Sequence, residues 1–200
     1  PANIRDDTKV IFIANPNNPT GTYNSHQEVH NLLKNIPSSI LVVLDCAYFE
    51  YVEKSDYVDP LELLNEFDNL LVTKSFSKIQ GLASARIGYG IAQPELIEVL
   101  NRIRQPFNVN SFAQELACEA INDKEHIKKS IDLNLAEGTF LFAELTQLGL
   151  ECIPSVGNFI SFKGNFNGQE MFTSLMEKGV IIRPIDLYGM PDFLRVTIGT

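Results

Sequence analysis

Three short apolar runs constrain this chain more than any other feature. Val10-Ile11-Phe12-Ile13-Ala14, Ile40-Leu41-Val42-Val43-Leu44 and Leu70-Leu71-Val72-Thr73 do not alternate with polar residues, and each stops at a polar or glycine-bearing segment. An unalternating run rich in β-formers reads as a strand buried on both faces, the habit of parallel sheets. A shorter run, Ile87-Gly88-Tyr89-Gly90, follows a turn-like glycine segment. Between the first two runs, residues 25–34 read as a helix with Ser25 as N-cap and Glu28 as its capping-box partner. Strand, helix and buried strand in this order predict an α/β fold, a mostly parallel sheet flanked by helices. Ligands of such sheets lie beyond the carboxyl ends of the strands. Asn18, Asp45 and residues 75–78 fall at those ends and are expected on one rim.

The pattern changes after Pro94. Helical spacing of apolar residues predicts helices over 94–104, 111–121 and about 125–148, with Gly149 as the stop of the last. Beyond it, strands are expected over 158–162, 180–183 and 194–198, with a helix over 169–178 between the first two. This is an α+β segment. A domain boundary is therefore expected inside the long helix, near residue 130, with 1–130 in a larger domain and 131–200 in a smaller one. The first strand of a parallel sheet needs neighbours, and the final run Leu194–Thr200 has no closing helix, so the chain reads as a piece of a longer protein lacking its N-terminal part.

Charge and cysteine use narrow the class. A formal net charge of −9 with scattered Lys and Arg argues against a nucleic-acid surface, which needs clustered cations. No apolar run is long enough to span a membrane. Cys46, Cys118 and Cys152 form no disulfide or metal-type pairing, which suits a reducing cytoplasm with each thiol acting as a small buried hydrophobe. His26 and His30 share a helix face, but the zinc-protease order is absent and no third ligand is evident, so no metal is expected.

Four constellations carry chemistry. Ser75 and Ser77 precede Lys78, and Arg86 follows in the glycine-bearing segment. Hydroxyls and a guanidinium can hold a phosphate beside an amine that attacks a carbonyl. Lys78 by itself could equally be a solvated loop lysine. Asp45, with Tyr48 just beyond it, ends a buried strand, where a carboxylate can pair with a protonated ring nitrogen or serve as a cap or turn residue. Asn18 precedes Pro19 in a rigid segment that can fix an amide near a ligand or form an ordinary polar turn. Arg195 can clamp an anion through its planar fork or lie on a strand surface.

In order along the chain, NPNNPTG (15–21), DCAY (45–48), SFSK (75–78), GLASARIGY (81–89) and LRVTIGT (194–200) resemble the fold-type-I pyridoxal-phosphate (PLP) aminotransferases of class I/II. The resemblance covers nearly the whole chain. It implies that Lys78 is the Schiff-base lysine and moves the proton between Cα and C4′. It places Asp45 at the pyridine nitrogen, Asn18 and Tyr48 at the phenolic oxygen, and Ser75, Ser77 and Arg86 at the phosphate, with Arg195 on the substrate's carboxylate. Segments 104–110, 154–159, 179–184 and 187–191 are most similar to the histidinol-phosphate aminotransferase group. That group exchanges an amino group between L-histidinol phosphate and 2-oxoglutarate. Arg183 would then join Arg195 at the anionic end, and Asn158 would help seat the substrate. The resemblance further implies a cytoplasmic homodimer.

Departures are few. Cys46 stands where the family usually has Glu, Ile79-Gln80 replaces an Ala-aromatic pair, and Ser84-Ala85 replaces Gly-Leu. The same catalytic residues would serve a threonine-phosphate decarboxylase, an aromatic or aliphatic aminotransferase, or a non-catalytic regulator domain on this scaffold. Arg183 and segment 104–110 favour the histidinol-phosphate group.

Overall fold

A computed structural model describes residues 3–57 and 59–200. The chain divides into two compact units, one of residues up to Pro16 with Asn24–Ile127, the other of Asn17–Tyr23 with Lys128–Thr200. The small Asn17–Tyr23 segment thus groups with residues far along the chain.

The first unit holds strands β1 (Val10–Ala14), β2 (Leu41–Asp45), β3 (Leu70–Ser75) and β4 (Gly88–Ile91) in the order β1-β2-β3-β4. The first three are parallel, and β4 runs antiparallel to β3. Helix α1 (His26–Lys34) starts on the expected capping box: the Glu28 amide donates to Ser25 Oγ, and the Ser25 amide donates to the Glu28 carboxylate. That bond from Ser25 also holds the Glu28 carboxyl below its usual range. Val29 and Leu33 of α1 pack with Ile36, Ile40, Val42, Leu44, Leu63, Leu70 and Val72 into the core.

Strand alternation sorts the two faces of this sheet. Val42 and Leu44, with Leu70 and Val72, point to the α1 side, so Val43 and Asp45, with Leu71, Thr73 and Ser75, point to the other. Register places Asp45 beside Ala14 and Thr73. β2 is buried on both faces as expected, but β1 is not: Val10 is 42% and Phe12 78% exposed. β1 has β2 as its only strand partner among the described residues, and only its Ile11 and Ile13 reach the α1 core. An apolar run reports what a strand can bury, not whether both sides are covered.

Helices α2 (Pro94–Ile103), α3 (Ser111–Ala120) and α4 (Lys124–Gln147) follow. The helix α4 ends on Gly149 at φ +77°, where the Leu150 amide reaches back to the Leu145 carbonyl. The second unit has strands β5 (Glu151–Ile153), β6 (Phe159–Lys163), β7 (Arg183–Pro184) and β8 (Phe193–Thr197), all antiparallel, in the order β5-β6-β8-β7, with helix α5 (Gly168–Glu177) before β7. The strand expected over 180–183 is only two residues long. The Val180 amide is spent closing α5, bonded to the Leu175 carbonyl beyond Gly179, and Pro184 has no N–H for a longer ladder.

Candidate active site

The first unit brings six predicted residues to the loops that leave β2 and β3. Asp45 is exposed at the carboxyl end of β2, and its Oδ1 accepts the Ala47 amide at 3.1 Å. That bond makes Asp45 a turn residue while engaging one of its two oxygens. Tyr48 is buried, just ahead of the short 3₁₀ turn Phe49–Tyr51. Ser75 closes β3, and its Oγ accepts the Ser77 amide at 3.0 Å, so the two serines form one hydroxyl-stabilised turn. Lys78 follows, with Nζ 5.2 Å from the centre of the Tyr48 ring. Lys74 lies on β3 with alternation directing it to the α1 side, and its Nζ sits 3.6 Å from the Phe49 ring centre. The two lysines of this segment thus have different surroundings.

Arg86 follows the 3₁₀ turn Ala83–Ala85, at φ 53°. A left-handed arginine costs on the order of 1 kcal/mol and persists where its neighbours over-determine it. Its Nη1 donates to the Ala83 carbonyl at 2.8 Å, leaving the rest of an exposed guanidinium fork.

The second unit assembles the other four. Arg195 of β8 pairs in register with Ser161 of β6 on one side and Arg183 of β7 on the other. Direct cross-strand partners share a face, so Ser161, Arg195 and Arg183 form a row across the sheet. Arg195 Nη1 donates to Asn18 Oδ1, its guanidinium carbon lies 4.8 Å from the Phe159 ring centre, and its buried Nε has no hydrogen-bond partner among the described residues. Arg183 is exposed. Asn18, joined to Pro19 by a cis bond, is held where it is because Ser161 Oγ donates to the Pro19 carbonyl and the Val156 amide to the Gly21 carbonyl. Only glycine fits at position 21: its φ is +74°, and a Cβ there would lie 2.0 Å from Ser155 Oγ. Asn158 precedes β6 and its carbonyl accepts the Ile198 amide at 2.9 Å. Sequence reasoning missed Ser161, because nothing local marks a buried serine as the strand partner of Arg195.

The remaining predicted polar groups separate. His30 is half-buried, 2.9 Å from the Glu66 carboxylate and edge-on to Phe67, so it is no solvated face. Among the described residues no cluster of His, Cys, Asp or Glu could hold a metal ion. Cys118 is exposed, against the expectation of three buried thiols, because it lies on the outer side of α3 from the buried Ala113 and Ala117. Cys46 is buried against the Leu44 carbonyl, and burial pushes its thiol up to about 12, against a smaller opposing pull from Lys74. In the folded protein Cys46 should therefore resist alkylation at pH 8 and react fully in denaturant. The raised thiol stabilises the fold below pH 9 and loses that contribution between about pH 9 and 12. Mass mapping of alkylated peptides checks the first point, and rapid labelling of native Cys46 would contradict it.

Residues 2–200 match the aminotransferase class I and II family, and the chain belongs to it. It is 50% identical over 196 residues to histidinol-phosphate aminotransferase 2 of Pseudomonas fluorescens, covering 98% of this chain and 53% of that protein. It is 47% identical over 196 residues to the histidinol-phosphate aminotransferase of Caldicellulosiruptor saccharolyticus, covering 98% of this chain and 55% of the relative. The chain spans about half the length of the curated relatives it matches. The crystal structure of the histidinol-phosphate aminotransferase from Sinorhizobium meliloti, in complex with pyridoxal-5′-phosphate, superposes with a TM-score of 0.89 at 26% identity, over 96% of this chain and 53% of that one.

Proposed function

We propose that this chain is the part of a PLP-dependent aminotransferase that holds the cofactor and the substrate's anionic end. The enzyme exchanges an amino group between L-histidinol phosphate and 2-oxoglutarate, giving imidazole-acetol phosphate and L-glutamate in histidine biosynthesis. Residues 1–130 are then part of the large cofactor-binding domain and residues 131–200 part of the small domain.

The donor set of the first unit fits the cofactor by its chemistry: an amine, a carboxylate, two hydroxyls and a guanidinium stand in loops leaving two neighbouring parallel strands. When bound, PLP supplies an aldehyde carbon and a ring that draws electrons away from the substrate's Cα. Lys78 Nζ would be the amine facing the aldehyde carbon and would serve as the general base for the Cα proton. Asp45 keeps the proton on the ring nitrogen. Ser75, Ser77 and Arg86 bind the phosphate, the arginine with donors beyond the one given to Ala83. Asn18 and Tyr48 bind the phenolic oxygen. The complete enzyme is read as a cytoplasmic homodimer without a nucleic-acid or membrane partner. The free thiols of this chain and its net charge of −9 support the compartment and the lack of a nucleic-acid partner, and no helix among the described residues is long and apolar enough to cross a membrane.

One observation carries the phosphate substrate: Arg183 and Arg195 are register partners on β7 and β8. Two guanidinium groups side by side repel one another and suit a dianion better than a single carboxylate. Asn158, before the neighbouring strand, helps seat the substrate. In the complete enzyme, Arg183→Ala should lower kcat/KM for histidinol phosphate by roughly tenfold to a hundredfold, corresponding to about 1.5–3 kcal/mol for a charged hydrogen bond, and change phenylalanine little. If wild type prefers phenylalanine, or decarboxylates threonine phosphate, the substrate assignment moves to those reactions.

A further inference from the structure

The loop carrying Lys78 is restrained by its own turn and by one side chain from far along the sequence. Within the loop, the Gly81 amide donates to the Lys78 carbonyl and the Leu82 amide to the Phe76 carbonyl, both at 2.9 Å. Upstream, the Ser77 amide is held by Ser75 Oγ. Downstream stands Ile79, 2% exposed and among the largest fully buried side chains. Its carbonyl oxygen lies 2.9 Å from Nε2 of His126, 47 positions away. A carbonyl can only accept, so Nε2 carries the hydrogen, in the neutral and the protonated ring alike.

The backbone that carries the imidazole is itself anchored. Asp123 Oδ1 accepts the His126 amide at 2.9 Å and fixes the first turn of α4. A continuous set of contacts therefore runs from Asp123 through His126 to the Ile79–Gln80 peptide, one residue past Lys78. With Ser77 held on one side and Ile79 held twice on the other, the lysine backbone has little freedom, and its four-carbon side chain supplies what remains.

We propose that His126 is a positioning residue for Lys78, its Nε2–H bond to the Ile79 carbonyl fixing the backbone from which the reacting amine projects. This rests on the reading of Lys78 as the reacting amine. A group misplaced by about 1 Å can lose roughly a hundredfold in rate without any change in its chemistry. The Ile79-Gln80 pair departs from the family's usual residues, but the bond is made to the Ile79 backbone carbonyl and not to either side chain.

The test uses the complete enzyme as wild type, His126→Leu and His126→Gln, since the glutamine amide can offer an N–H from a similar distance. Without cofactor, His126→Leu should speed hydrogen exchange of the Gly81 and Leu82 amides by about tenfold, with β2 and β3 amides unchanged. With cofactor, kcat should fall about tenfold to a hundredfold while KM stays within about twofold, and His126→Gln should recover most of both effects. Unchanged exchange and kcat in His126→Leu overturns the proposal. So does a glutamine variant no better than leucine, or a loss that spreads to the exchange of the strands. Should His126→Leu not fold, His126→Asn, too short to reach Ile79, is judged by the same outcomes. Wild-type turnover and the lysine that carries cofactor test the underlying reading separately, because neither depends on the variants.

Discussion

Lys78→Ala in the complete enzyme should lower transamination by at least about a thousandfold, the combined loss of the amine that holds the cofactor and of the general base. Borohydride reduction of wild type should fix the cofactor covalently to Lys78, and peptide mapping should find nothing on Lys74. Both lysines lie in one six-residue stretch, Thr73–Lys78, so composition cannot separate them. Geometry does. Lys74 is paired within β3, opposite Tyr89, and its ammonium sits 3.6 Å over the Phe49 ring toward the α1 side. Freeing it for chemistry would cost that cation–π contact and turn it through the sheet. Lys78 lies past the strand, after the serine turn, near the Tyr48 ring and not over Phe49. Lys74→Ala should therefore leave the cofactor on Lys78 and affect stability more than kcat. Label on Lys74, or substantial turnover by Lys78→Ala, would move the site.

What could be read from the sequence was mostly local. Ser25 and Glu28 announce the start of α1, and Gly149 announces the end of α4, because caps and left-handed turns are settled by residues a few positions apart. The uncovered face of β1 was not legible, since Val10 and Phe12 are as apolar as the buried residues of β2 and only the arrangement of neighbours distinguishes them. The shortness of β7 was hidden for a related reason: Val180 looks like a strand residue, yet its amide completes the cap of α5. In the candidate site, Ser75, Ser77, Lys78 and Arg86 could be named because they sit close together along the chain, and Asp45 because it ends a buried apolar run. Asn18 and Arg195 could be named singly, but not as hydrogen-bonded partners. The row of Ser161, Arg195 and Arg183 depends on strand register, and the His126 contact on a pairing 47 residues apart. Neither has a local signal.

Asp45→Asn in the complete enzyme should keep the cofactor bound and cut turnover by about a hundredfold or more. The substitution isolates charge. Asp45 accepts the Ala47 amide through Oδ1, and asparagine keeps an oxygen there, so the turn leading to Tyr48 survives. What disappears is the negative charge at the carboxyl end of β2, where no helix cap or second acid among its strand neighbours Ala14 and Thr73 can replace it. A neutral amide does not hold a proton on a pyridine nitrogen, because a charge-assisted bond is roughly twice as strong as a neutral one and favours the charged partner. The other residues proposed to hold the cofactor, Ser75, Ser77, Lys78 and Arg86, are untouched, so binding should weaken far less than kcat. Asp45→Ala is the comparison, since it removes the charge and the turn's acceptor together and should also lower the melting temperature. The measurement is kcat beside cofactor affinity and melting temperature for both variants. Near-normal kcat in Asp45→Asn with a lowered melting temperature in Asp45→Ala would make Asp45 a turn residue alone, the alternative its bond to Ala47 keeps open.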